Sequence, residues 1–163
     1  MIYRYSRFVL QIFLALCFLA GCGSTNYGMQ RLGIRVPSRH SETMVLKVRL
    51  SERANMNRPV RADLLLIYDS ELVELTTALP ATAWFEKRAQ IIADNVGKLD
   101  VFSWEWVPGQ SVAVQAIPVS ASIVATVLFA DYDSPIEHRV SLNHLENALL
   151  EFGERDFQAK TIQ

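Results

Sequence analysis

The side chain best placed for chemistry is the thiol of Cys22, which follows Leu19-Ala20-Gly21 at the end of an apolar run. Ahead of it stand Arg4 and Arg7, then Phe8 to Ala20, apolar apart from Gln11. A basic start, a short apolar stretch and small residues at its end make a secretory signal, and the stretch falls short of the roughly 20 residues a spanning helix needs. The three imidazoles, His40, His138 and His144, lack the spacing that puts two ligands on one face, so they read as exposed or edge histidines and no metal site is expected. Asp131 and Asp133 flank Tyr132 in what reads as a solvated turn, because the further oxygen ligands and the glycine of a calcium loop are missing. Serines 70, 103, 111, 120, 122, 134 and 141 form no nucleophile elbow, and no glycine-rich phosphate loop is present. Neither catalytic residues nor a cofactor are expected, and the chain does not read as an enzyme.

The run ending at Cys22 resembles the signals of bacterial lipoproteins, and that resemblance implies lipidation of the Cys22 sulfur, cleavage before it and acylation of the new amino group. Each buried methylene contributes about 0.8 kcal/mol, and more than one chain is needed for lasting attachment, so a multiply acylated Cys22 anchors a protein without a spanning helix. Gly23 after the cysteine implies the outer membrane. Cleavage removes two arginines and no acid from a chain of formal net charge -1, which leaves no basic patch for nucleic acid. It also removes Cys17, so with Cys22 acylated the folded part has no thiol and must hold together by packing, without disulfides.

The expected organisation is a signal over 1–21, a lipid-anchored tether over 22–41, rich in Gly, Ser, Asn and Pro, and one domain over 42–163. Thr43 to Leu50 alternates as a half-buried strand, and Val60 to Tyr68 starts with alternation and ends apolar on both faces. The period turns helical over Glu71 to Leu79 and, after Pro80, over Ala81 to Asp94. Leu99 to Val107 is a strand with Phe102, Trp104 and Trp106 on one face, and Val107-Pro108-Gly109-Gln110 suits a type II turn leading by a hairpin into Ser111 to Ile117. Pro118 to Ser120 breaks that run. Ser122 to Ala130 reads as a central strand, Ile136 to Leu142 as an alternating one, and the carboxyl end as a strand pair, with a helix opening at Asn143 as the alternative. The sum is a mainly β chain, a small antiparallel β-sandwich with a helical excursion between strands. Trp84 reads as packing a helix onto the sheet, and Trp104 and Trp106 as core in preference to a partner patch.

From Ala54-Asn55-Met56-Asn57-Arg58-Pro59-Val60 onward the chain resembles the outer-membrane lipoproteins of type VI secretion systems, the TssJ family. The shared order is a lipoprotein signal, a tether, a first strand, an Asn-containing loop with a Pro-Val entry into an apolar strand, and a helical excursion with an aromatic pair, Trp84-Phe85. A Pro-Gly turn and a buried strand ending Phe129-Ala130-Asp131-Tyr132 follow. The resemblance implies a transthyretin-like sandwich, lipid-anchored in the outer membrane and facing the periplasm. It also implies that the protein holds the secretion complex there by binding the periplasmic domain of an inner-membrane component, TssM. Carried over, the contacts are Asn55, Met56, Asn57 and Arg58. The alternative is a free-standing outer-membrane lipoprotein that binds a small ligand or cell-wall polymer through the aromatic strand.

Overall fold

The structure, a computed structural model, describes residues 42–134, 136–144 and 146–163. The signal, the tether, Cys22 and His40 lie outside the described residues. Among the described residues eight strands and two helices follow in the order β1 (Glu42–Leu50), β2 (Val60–Ile67), α1 (Ser70–Thr77), α2 (Ala81–Asp94), β3 (Leu99–Trp106), β4 (Gln115–Val119), β5 (Ala125–Asp131), β6 (Arg139–Leu142), β7 (Asn147–Phe152) and β8 (Phe157–Ile162), with a single turn at Ala54–Asn57 between β1 and β2. They form two four-stranded sheets, β4-β1-β7-β8 and β3-β2-β5-β6. The mainly β sandwich expected from the sequence is present. All pairs are antiparallel except β1 with β7, which run parallel from Leu46 opposite Ala148 to Leu50 opposite Phe152.

Two apolar cores explain the two kinds of strand. Between the sheets lie Met44, Leu46, Leu64, Leu66, Leu128, Leu150 and Phe152, supplied by alternate residues. On the other face of β2 and β5, Leu65, Ile67, Val127 and Phe129 pack under α1 and α2 against Leu72, Trp84 and Ile91. The central strands β2 and β5 are therefore apolar on both faces, whereas β1 turns Lys47 and Arg49 outward. Trp84 is fully buried and stacks on Phe129 with ring centroids 5.3 Å apart. Asp69 caps α1, accepting from the N–H groups of Glu71 at 3.0 Å and Leu72 at 3.2 Å. Lys98, which hydrogen-bonds the same carboxyl, and these N–H donors hold it below the usual carboxylate range. Pro80 precedes α2 as expected.

Three local expectations change. The turn at Val107 forms, with Gln110 N–H donating to Val107 O at 3.0 Å, yet it opens no hairpin: β3 lies in one sheet and β4 in the other. The chain crosses to the other sheet, where β4 pairs along the outer edge of β1 and its inward residues, Ile117 and Val119, close the core beside Met44. Nor does Pro118 end the run; it sits inside β4, an edge strand that tolerates a missing N–H. Strand β6 starts only at Arg139, after His138 with φ +45°. The carboxyl end forms the strand pair β7 and β8. Trp106 is 4% exposed and meets Phe152 edge-on, and Trp104 stacks between Phe102 and Trp106, half-buried, with Nε1–H donating to Gln115 Oε1.

Candidate partner-binding surface

The turn at Ala54–Asn57 is the most constrained backbone among the described residues. Asn55, Met56 and Asn57 have φ of +47°, +55° and +63°, three successive left-handed residues with no glycine among them. Each such residue costs on the order of 1–2 kcal/mol, so the turn persists only if its surroundings fix it. They do so through Asn55, which is 4% exposed. Its amide Nδ2 donates to Pro59 O at 2.9 Å and Asp131 O at 3.2 Å, and its Oδ1 accepts from Asp133 N–H at 2.8 Å. The backbone N–H groups of Asn55 and Met56 donate to Gly153 O at 3.1 Å and Glu154 O at 2.9 Å.

Two other turns thus grip this one: described residues 132–134 and 136–138 between β5 and β6, and residues 153–156 between β7 and β8. Ion pairs flank the grip, Arg58 with Asp133 and Arg53 with Glu154 at 2.8 Å. Both are exposed, so they contribute little to stability and mainly orient charge. Met56, Asn57 and Arg58 are left facing outward, and Met56 is 47% exposed. Beside Met56, a cleft of about 240 Å³ opens between Tyr132, Ser134 and Glu154.

Beneath the cleft lies a cluster that spacing alone does not reveal. His138 is 3% exposed and stacks on Tyr132 at 4.7 Å, contrary to the exposed or edge position its alternating surroundings suggest. Its Nδ1 is 2.9 Å from Asp156 Oδ1 and its Nε2 is 2.6 Å from Ser134 Oγ. The order of contacts is that of a hydrolytic triad. Here, however, Ser134 Oγ also lies 3.1 Å from Arg155 O, so its hydroxyl ties down a neighbouring carbonyl. Tyr132 O–H donates to Gly153 O and Asp156 O, both at 3.1 Å, and burial, then the Asp156 charge, pushes its ionisation above the ordinary value. Asp131 and Asp133 pair with Arg61 and Arg58. His144 is half-buried in the β6–β7 connection. Among the described residues no group of three or more metal-ligating side chains comes together, and no helix is long and apolar enough to cross a membrane.

No family model and no curated protein sequence matches this chain. Solved structures match it in shape. The type VI secretion lipoprotein TssJ1 from Pseudomonas aeruginosa is 11% identical with a TM-score of 0.54, over 74% of this chain and 96% of that one. The chain has the TssJ fold. Serratia marcescens Lip, a membrane-bound component of the type VI secretion system, gives 14% identity and a TM-score of 0.57 over 74% and 98%. A chain in the structure of the TssM C-terminal domain from EAEC gives 16% and 0.55 over 75% and 100%. The TssJ-type sandwich is therefore shared almost end to end with these structures, while the side chains that build it are largely different.

Proposed function

We propose that this chain is a TssJ-type lipoprotein of a type VI secretion membrane complex. In this reading Cys22 is acylated, the sandwich hangs from the outer membrane into the periplasm, and the turn after β1 binds the periplasmic domain of a TssM-type inner-membrane component. The observation that carries the binding surface is the run of three left-handed, non-glycine residues. A fold that needed only a link between β1 and β2 would place glycine or a longer loop there, since strain of this kind concentrates where a shape is used. Met56, Asn57 and Arg58 make the direct contacts, and the buried Asn55 side chain holds them in place. The role is structural and non-enzymatic, with no cofactor.

The likeness to TssJ1 and Lip supports the family role, and the presence of a similar chain in a TssM structure supports the partner. The free-standing alternative finds less support, because Trp104 and Trp106 spend most of their ring surface on Phe102, Phe152 and one another.

The test replaces Met56-Asn57-Arg58 by Gly-Ser-Gly in the full chain, sparing Asn55, and measures capture of the TssM-type periplasmic domain from envelopes. Capture should fall while the melting temperature stays within about 3 °C of the parent. Undiminished capture would move the interface elsewhere on the sandwich.

A further inference from the structure

We infer that Ser134, His138 and Asp156 form a latch that positions the left-handed turn for partner capture. The inference rests on the reading that this turn is the partner surface. Its basis is where each of the two gripping turns belongs. The turn after Asp131 hangs from β5 and β6 in one sheet, and the 153–156 turn from β7 and β8 in the other. One supplies the Asp133 N–H that holds the Asn55 side chain, and the other supplies the carbonyls of Gly153 and Glu154 that hold the Asn55 and Met56 amides. The strained turn therefore keeps its shape only while these two turns keep a fixed separation.

The latch sets that separation. Asp156 as a carboxylate only accepts, so the Nδ1 edge of His138 donates to it, and Phe157 N–H donates to the same oxygen at 2.8 Å. On the other side of the ring, Nε2 meets Ser134 Oγ, and Ser134 Oγ in turn reaches Arg155 O. His138 also lies 3.3 Å from Ser134 O, and its own carbonyl accepts from Ala130 N–H at 3.0 Å. A buried ring bonded on both edges thus spans the two sheets at the end of the sandwich that carries Met56. Its backbone is itself left-handed, which is a second strained position maintained for the same assembly.

Three variants test the latch. Asp156→Ala removes the acceptor, His138→Asn removes the ring while keeping a residue that tolerates the left-handed backbone, and Asp156→Asn keeps an acceptor for both N–H donors. Amide hydrogen exchange at Asn55 and Met56 and capture of the partner's periplasmic domain are read in the full chain. Asp156→Ala and His138→Asn should speed exchange at both amides about tenfold and weaken capture to a similar degree, with Asp156→Asn close to the parent. Ser134→Ala, which trims one oxygen, replaces His138→Asn if that variant fails to fold. Unaltered exchange at Asn55 and Met56 overturns the latch, and so does faster exchange with capture intact. Should the Met56–Arg58 replacement leave capture intact in the parent background, the partner reading fails independently of the exchange rates.

Discussion

The Trp84 indole Nε1–H donates to Asp63 Oδ2 at 2.8 Å, joining the helical layer to the middle of a sheet through a buried carboxyl. Asp63 is 1% exposed on β2, and Arg88 Nη1 donates to its two oxygens at 3.0 and 2.8 Å. A charge there would be costly alone, but three hydrogen bonds offset its desolvation. Asp63→Ala strands the indole N–H and the guanidinium, and should lower unfolding stability by about 3 kcal/mol in urea. Arg88→Ala should cost a comparable amount, about 3 kcal/mol, because it leaves the buried Asp63 carboxyl with the Trp84 indole N–H as its one remaining side-chain donor. A loss under about 1 kcal/mol for Asp63→Ala would show that the pair is dispensable.

The sheet elements were legible because their burial follows a local period. Met44, Leu46 and Leu50 alternate inward, and the unbroken apolar run at Leu64 to Ile67 marks a strand covered on both faces. Sheet membership was not legible at Ser111 to Val119, since a good turn at Pro108 fixes the local direction of the chain and leaves open which strand edge it reaches. In the candidate site, the loop could be located from its neighbours Pro59 and Val60, but its inner and outer residues could not be sorted. Asn55 is buried by partners at 131 and 133, far along the chain. His138 escaped for the same reason: Ser134 is near in sequence, but Asp156 arrives from the other sheet.

Met56 offers a separation of stability from binding. With φ +55° and an exposed side chain, glycine in its place relieves strain and loses little packing, although the unfolded chain gains freedom. Met56→Gly should leave the unfolding free energy unchanged or raise it by about 0.5 kcal/mol, while partner capture weakens. Denaturation and pull-down on the same preparation check both parts. A loss of more than about 1 kcal/mol would mean that the Met56 side chain supports the fold.

Tyr132 gives the pH dependence a sign. Burial first, and the nearby Asp156 charge second, raise the ionisation of its hydroxyl above the ordinary value of 10.0. A proton held more tightly when folded contributes stability that is complete below the unfolded value and drains away as pH climbs through the folded one. Stability should therefore fall steadily once pH passes about 10, with part of that fall due to this residue. Tyr132→Phe should cost about 1 kcal/mol at pH 7, where its two hydrogen bonds are lost, and should show a shallower alkaline slope than the parent. Identical slopes from denaturant titrations between pH 9 and pH 11 would rule out Tyr132 as the source.

Cys22 decides whether the sandwich acts as an anchor. Among the described residues no helix is long and apolar enough to cross a membrane. On the proposed reading attachment depends on acyl chains at Cys22, each methylene contributing about 0.8 kcal/mol, and a single chain holds only reversibly. Cys22→Ser should leave a folded domain with an unchanged melting temperature and release it from the membrane fraction into the soluble periplasm. Type VI secretion should be lost at the same time, since a partner gripped by an unanchored sandwich is no longer tied to the outer membrane. Fractionation of cells expressing the variant, with a secretion assay on the same cultures, checks both consequences. Secretion that persists with the protein in the soluble fraction would separate partner binding from anchoring and leave the domain a different task within the complex.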